Sequence, residues 1–154
     1  MSESGTKLIA VNRKARFNYE VEEDIECGIE LQGSEVKSFR LGKISFPDAF
    51  AVIEGDEVWI RNLHVAVYLF SSIFNHDPDR RRKLLLHKQE IKRLKRKVEE
   101  RGYTLVPLSF YFKNGRVKVS LGLCKGKKAS DKRASIKDRD VKRDMQRELR
   151  ERNQ

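Results

Sequence analysis

The sequence predicts an α+β protein, a small closed antiparallel β-barrel of the OB-like kind with about three short helices around it and a basic tail behind it. Three observations predict this. Short stretches of alternating apolar and polar residues recur between Gly- and Asn-centred turn signals, the period of half-buried strands. Two segments switch to helical spacing with a start and a stop signal each. From Lys125 onward the aromatic residues disappear and charge takes over. At 154 residues, the chain fits one domain over 1–124 and a tail over 125–154.

Taken in order, Met1 to Ala10 is polar and is expected to be loose, as an untethered terminus is. Phe17, Tyr19, Val21 and Ile25 alternate with Asn18, Glu20, Glu22 and Asp24, which predicts a strand; Glu23 breaks the alternation, marking a bulge or an edge. Ile29 and Leu31 read as the end of a strand. In the stretch GIELQGSEVKSFRLGK (28–43), Gly33 frees the turn, Ser34 is the expected N-cap, and Glu35 favours the first helical turn. Val36 and Phe39 then face a core, and Gly42 stops the helix. Ala49–Glu54 and Glu57–Asn62 form a predicted hairpin around Gly55-Asp56, with Trp59 anchoring one face. Leu63–Phe70 is another strand candidate, and Ser71–Asn75 is ambiguous.

Asp77-Pro78 is a helix-start signal, Asp as N-cap and Pro at the first helical position. His87 with Glu90 three residues later is a second start. Ile91, Leu94 and Val98 supply that helix's apolar stripe, and Gly102 closes it. Asn114-Gly115 is the strongest two-residue hairpin signal in the chain. On its arms Val106, Leu108, Phe110 and Phe112 are expected to share one face with Val117, Val119 and Leu121. The other face then holds Tyr111, Lys113, Arg116 and Lys118, with Lys113 opposite Arg116 and Tyr111 opposite Lys118. Like charges so placed cost a few tenths to ~1 kcal/mol unless an anion lies between them.

Charge narrows the function. The chain carries a formal net charge of +11, which favours a polyanionic partner. Residues 1–76 hold 8 Lys/Arg against 12 Asp/Glu, a balance of −4, whereas residues 77–154 hold 26 against 11, a balance of +15. The segment 125–154 alone contains 12 Lys/Arg and 6 Asp/Glu. Its narrow stripe of Val141, Met145 and Leu149 is too thin for a core of its own, so this tail is expected to be disordered when free and helical when bound.

The enzyme classes find no support. The three histidines are scattered, Cys27 and Cys124 lie at no metal-ligand spacing, and no GxxxxGK[ST], GxGxxG or GxSxG motif occurs. No catalytic residue, metal or cofactor is expected. No run of about 18 apolar residues suggests a membrane span, the N-terminus lacks a signal-peptide core, and two cysteines do not make a disulfide framework. A cytoplasmic location without membrane contact is expected.

What remains is RNA chemistry. The face bearing Tyr111, Lys113, Arg116 and Lys118 offers an aromatic ring and cations together, the pair of groups that RNA bases and phosphates require; it can equally be a solvated strand face. Arg80, Arg81, Arg82 and Lys83 beside Leu84-Leu85-Leu86 form a second basic source. Three consecutive leucines cannot all enter a core from one helical turn, so one is either exposed, where it would suit an unstacked base, or a loop leucine covered by its own domain.

The wording of these motifs is more specific than their physics. GIELQGSEVKSFRLGK, HDPDRRRKLLLHKQEI (76–91), RGYTLVPLSFYFKNGRVKVSLGL (101–123) and KGKKASDKR (125–133) occur in this order. Together they resemble the signature of the bacterial SsrA-binding protein (small protein B) family over nearly the whole chain. The resemblance implies an OB-like barrel and no enzymatic activity. It implies binding to the elbow-like region of the tRNA-like domain of transfer-messenger RNA, through Glu26, Leu85 and Lys118. It also implies delivery to stalled ribosomes for trans-translation, with elongation factor Tu engaged indirectly through the charged RNA. The tail would enter the small-subunit decoding centre and the empty mRNA channel, Gly126, Lys127 and Lys128 matching one tail element and Asp131, Lys132 and Arg133 the next. Ser130 departs from the family, where many relatives carry a stacking residue. The competing readings are a generic rRNA-binding OB-type ribosomal or initiation protein, and a basic module binding protein or membrane through its C-terminal helix; the lack of aromatics in the tail speaks against membrane insertion.

Overall fold

The computed structural model describes residues 5–67 and 75–126. It is mostly sheet with three helices: β1 (Thr6–Val11), α1 (Arg13–Asn18), β2 (Tyr19–Ile29), α2 (Gly33–Arg40), β3 (Ile44–Ser45), β4 (Phe50–Glu54), β5 (Glu57–Arg61), β6 (His64–Val65), β7 (Arg82–Leu85), α3 (Lys88–Arg101), β8 (Thr104–Lys113) and β9 (Arg116–Gly126). Seven strands pair in the order β1-β8-β4-β5-β7-β2-β9, and β9 pairs again with β8, so the pairings return on themselves. β3 and β6 make a separate short ladder.

The hairpin at Asn114-Gly115 forms as its residues dictate. Both adopt positive φ, 51° and 77°, the conformation that a two-residue turn needs to match strand twist. Lys113 pairs with Arg116 and Tyr111 with Lys118, as expected from the turn length. One face of the hairpin differs. The β8–β9 register shifts between Pro107 and Ser109, a bulge that divides the expected apolar row. Leu105 and Phe110 join the main core, while Val106 and Leu108 pack with Ala15 and Cys124 in a second cluster. In the main core Phe110 meets Phe46 edge-on at 4.7 Å and Phe39 at 5.3 Å.

The helices follow their caps. α3 begins at His87 in a reciprocal capping box with Glu90 and ends at Gly102 with φ 68°, and it buries Ile91 and Leu94. α2 also starts with a capping box, but its N-cap is Gln32 rather than Ser34. Its Glu35 side chain accepts a hydrogen bond from the Gln32 backbone N–H at 2.8 Å.

Three expectations are corrected. Residues 6–11 are not loose: they form β1, which pairs with β8. Phe17 belongs to α1, not to a strand; Asn12 caps that helix by accepting from the Ala15 N–H at 3.1 Å. The strand begins at Tyr19, and its register against β9 shifts between Val21 and Glu23, next to the residue that breaks the alternation. Asp77-Pro78 starts no helix. Asp77 Oδ1 accepts from the Asp79 N–H at 3.0 Å in a local turn, and the chain continues into β7. The side chain that satisfies a helix N-terminus satisfies such a turn just as well, and the inward pull of Arg82 and Leu84 decides for the strand. The candidate strand 63–70 is realised as β6 in its described part; residues 68–70 lie outside the described residues.

Candidate nucleic-acid interface

β7 explains the three leucines. Along Arg82–Leu85 the side chains alternate, as in any strand. Arg82 and Leu84 are buried, and Leu85 points out with 50% of its surface exposed. Of the two readings open for the leucines, the exposed one holds; its cause is strand alternation, not a crowded helical turn.

The register then assembles a site from four strands. Tyr111 of β8 pairs with Lys118 of β9, Lys118 with Gly28 of β2, and Gly28 with Leu85 of β7. This single row crosses the sheet with a glycine in the middle. A Cβ at Gly28 would lie 3.3 Å from both Cβ and Cδ1 of Leu85, so the bare backbone lets the leucine lie over β2. Leu85 forms a ridge between two grooves. The larger, of about 550 Å³, is lined by Glu26, Gly28, Leu85, His87, Lys88 and Lys118, among others. The smaller, of about 250 Å³, lies against Ile29, Val36, Arg116 and Lys118.

Glu26 sits beside the row, in register with Ser120. Its carboxylate accepts from the Tyr111 hydroxyl at 2.5 Å and from Lys113 Nζ at 3.3 Å. The Tyr111 hydrogen bond, followed by Lys113, holds the Glu26 carboxyl below the ordinary carboxylate range. Burial and the same contact push the Tyr111 phenol upward. Glu26 is therefore an anion at neutral pH, and Tyr111 stays its donor. It also neutralises Lys113, one of the two cations placed opposite each other at the hairpin end. Arg116 and Lys118 have no ion-pair partner among the described residues. An acceptor (Glu26), an apolar platform (Leu85) and a cation (Lys118) thus converge on one groove.

The run Arg80–Lys83 behaves differently from expectation: each of its charges is taken up by a carboxylate of the protein itself, and Arg82 is buried. Arg82 and Glu35 are both fully buried, Nε donating to Oε2 at 2.5 Å. Arg82 also donates to the carbonyl of Leu63 at 2.6 Å and to those of Asp77 and Pro78. Arg80 donates to the other Glu35 oxygen. Arg81 pairs with Glu54 at 2.8 Å and stacks 4.3 Å above the Trp59 ring, and Lys83 pairs with Glu57. Next to this cluster, buried His76 donates from Nε2 to the Val65 carbonyl, and its Nδ1 shares a hydrogen bond with the Ser34 hydroxyl, both at 2.8 Å. Sequence reasoning missed Glu35 and Arg82. The period-two pattern of RKLL, with Leu85 out, was the available signal that Arg82 points in.

Of the tail residues singled out, Gly126 ends β9 opposite Tyr19, two residues past the expected boundary at 124. Lys127, Lys128, Asp131, Lys132 and Arg133 lie outside the described residues. Among the described residues no group of three His, Cys, Asp or Glu could hold a metal. Both cysteines are buried, and burial pushes the Cys27 thiol up to about 12 and that of Cys124 to about 11. Among the described residues, no helix is long and apolar enough to cross a membrane.

A family model described as SmpB protein matches residues 9–151. The SsrA-binding protein of Treponema denticola is 69% identical, over 97% of this chain and 97% of its own length. That of Treponema pallidum is 61% identical, over 99% of both. A solved structure described as "tmRNA-SmpB: a journey to the center of the bacterial ribosome" contains a chain that is 50% identical, with a TM-score of 0.66, covering 82% of this chain and 93% of that one. With a family model spanning nearly its whole length and relatives so similar end to end, this chain belongs to the SmpB family of SsrA-binding proteins.

Proposed function

We propose that this protein binds transfer-messenger RNA and serves trans-translation, the rescue of stalled ribosomes, as an RNA-binding factor and not an enzyme. Family membership supports the activity. The observation that carries the site is the convergence of Glu26, Leu85 and Lys118 from three neighbouring strands onto one groove. Lys118 neutralises phosphate, Leu85 packs against the face of an unstacked base, and Glu26 accepts from a base edge or a 2′-hydroxyl. Tyr111 and Lys113 orient that carboxylate, and Arg116 extends the cationic edge.

In this reading the returning strand pairings close as an OB-like barrel, and the tail over 125–154 works on the ribosome. It enters the decoding centre and mRNA channel, with Gly126, Lys127, Lys128, Asp131, Lys132 and Arg133 as its contacts, and elongation factor Tu is engaged only through the charged RNA. The setting is the cytoplasm.

The test is a competition assay at near-physiological salt. Labelled transfer-messenger RNA bound to the full-length protein is challenged with excess bulk tRNA and an unrelated structured RNA. Retention of the labelled RNA is the expected result; equal loss to every competitor leaves a generic rRNA-binding barrel instead. Truncation after Lys128 separates the tail's role: RNA binding persists and tagging on stalled ribosomes stops. A truncated protein that still supports tagging overturns that role.

A further inference from the structure

Helix α3 opens at the groove. Lys88, in its first turn, lines the groove together with His87 and Ile91. From there the helix turns Ile91 and Leu94 inward and leaves Lys88, Lys92 and Arg96 exposed. These three recur every four residues, so they stand on neighbouring turns, about 6 Å apart along the axis. None has an ion-pair partner among the described residues, whereas Arg93, on the adjoining side, is bound to Glu23 at 2.7 Å. Glu99 and Glu100, also exposed, follow Arg96 at the far end. The cationic row therefore begins at the groove and stops at carboxylates.

A row of unpaired like charges costs repulsion energy on a helix. A cation every four residues in an otherwise amphipathic helix suits a linear anion laid along it. We propose that the exposed face of α3 formed by Lys88, Lys92 and Arg96 is a phosphate-binding surface for transfer-messenger RNA, continuous with the groove. It grips the backbone that leads away from the nucleotide seated at Leu85. The inference rests on the groove being an RNA site. Its occupant is fixed by charge complementarity and by the shared residue Lys88.

The experiment measures transfer-messenger RNA affinity against salt for the full-length protein. Each phosphate contact contributes close to one unit, about 0.7–0.9, to the slope of log K on log salt. Lys88→Gln, Lys92→Gln and Arg96→Gln together should flatten that slope by about 2–3. Glutamine keeps the helix, because it is among the good helix formers. As a matched control, Lys7→Gln, Arg40→Gln and Lys43→Gln remove the same charge from exposed positions near β1 and α2, and should change the slope by less than one unit. An unchanged slope in the α3 variant overturns the proposal. So does an equal change in both variants, which would report net charge only. Glu26→Gln and Leu85→Ala are measured alongside. If they lower affinity while the α3 variant keeps its slope, the α3 surface fails and the groove stands. If they leave affinity unchanged, the groove reading fails and the continuity claimed here falls with it.

Discussion

Glu35 and Glu26 are carboxylates of the same chemistry in opposite situations. At Glu35 both oxygens are spoken for: one by Arg80 and the Gln32 N–H, the other by Arg82, and the residue sees no solvent. At Glu26 the donors, Tyr111 and Lys113, come from β8 alone, the side chain keeps 41% of its surface, and it borders an open groove. Both are held below the ordinary carboxylate range. Burial works against this at Glu35, and the Arg80, Gln32 and Arg82 hydrogen bonds outweigh it. At Glu26 the Tyr111 hydrogen bond leads. A lowered carboxylate therefore says nothing by itself about function; what separates a closed structural anion from one still open to a partner is the acceptor capacity left over.

This contrast can be broken most forcefully at Glu35. Glu35→Gln leaves the Arg82 guanidinium buried without its counter-charge, and stability should fall by about 3–5 kcal/mol, read by denaturant unfolding. Replacing Glu35 with Leu and Arg82 with Met together should cost less than the single change, because the fully buried Arg82 charge leaves with its partner and only the partly exposed Arg80 loses a contact. Acid makes the same point without mutation. The folded-state pKa of Glu35 lies below its unfolded value, so its stabilisation is present above the usual carboxylate range and is lost as pH falls through the folded value. The unfolding midpoint of the wild type should drop along that limb, and Glu35→Gln should flatten it.

Glu26→Gln should do the reverse. Unfolding stays within about 0.5 kcal/mol, as is usual for exposed positions, while RNA affinity drops by about 1.5–3 kcal/mol, the range for hydrogen bonds to a charged group. Binding titrations and melts on one preparation decide it. Tyr111→Phe should cost less, about 0.5–1.5 kcal/mol of affinity, and the loss should not add to that of Glu26→Gln if the tyrosine acts through the carboxylate. An effect as small as that of Tyr111→Phe is expected at Gly28→Ala. The new methyl presses on Leu85 at 3.3 Å and should shift its rotamer for about 0.5–1.5 kcal/mol of binding, with far-UV CD unchanged.

Elements with self-contained signals were legible in the sequence. α3 carries its own capping box and C-terminal glycine, and Asn114-Gly115 admits the positive φ its turn requires. The row Tyr111–Lys118 followed from the turn length alone. What the sequence hid is tertiary. β1 exists because β8 offers it a partner, which no local pattern in TKLIAV announces. Asp77-Pro78 carries a signal shared by helix starts and turns. Glu35 and Arg82 read as surface charges until the fold closes over both, and the bulge before Ser109 sends the Val106–Leu108 stretch away from Phe110. That one of the three leucines could be exposed was legible, but not which; that it is Leu85, and that it meets Glu26 and Lys118, depends on the order β9-β2-β7, which only the folded sheet provides.

The four residues of β7 hold four different posts: Arg82 in the buried ion cluster, Lys83 on Glu57, Leu84 in the core and Leu85 on the groove. Recognition and the interior are thereby wired in series along a strand too short to bend between them. If RNA seats on Leu85 as proposed, it should brace Leu84 and Arg82 from outside, and loosening Arg82 should disturb Leu85. Ligand and fold should then melt together, and RNA present at a hundred times its dissociation constant would raise stability by about 2.7 kcal/mol.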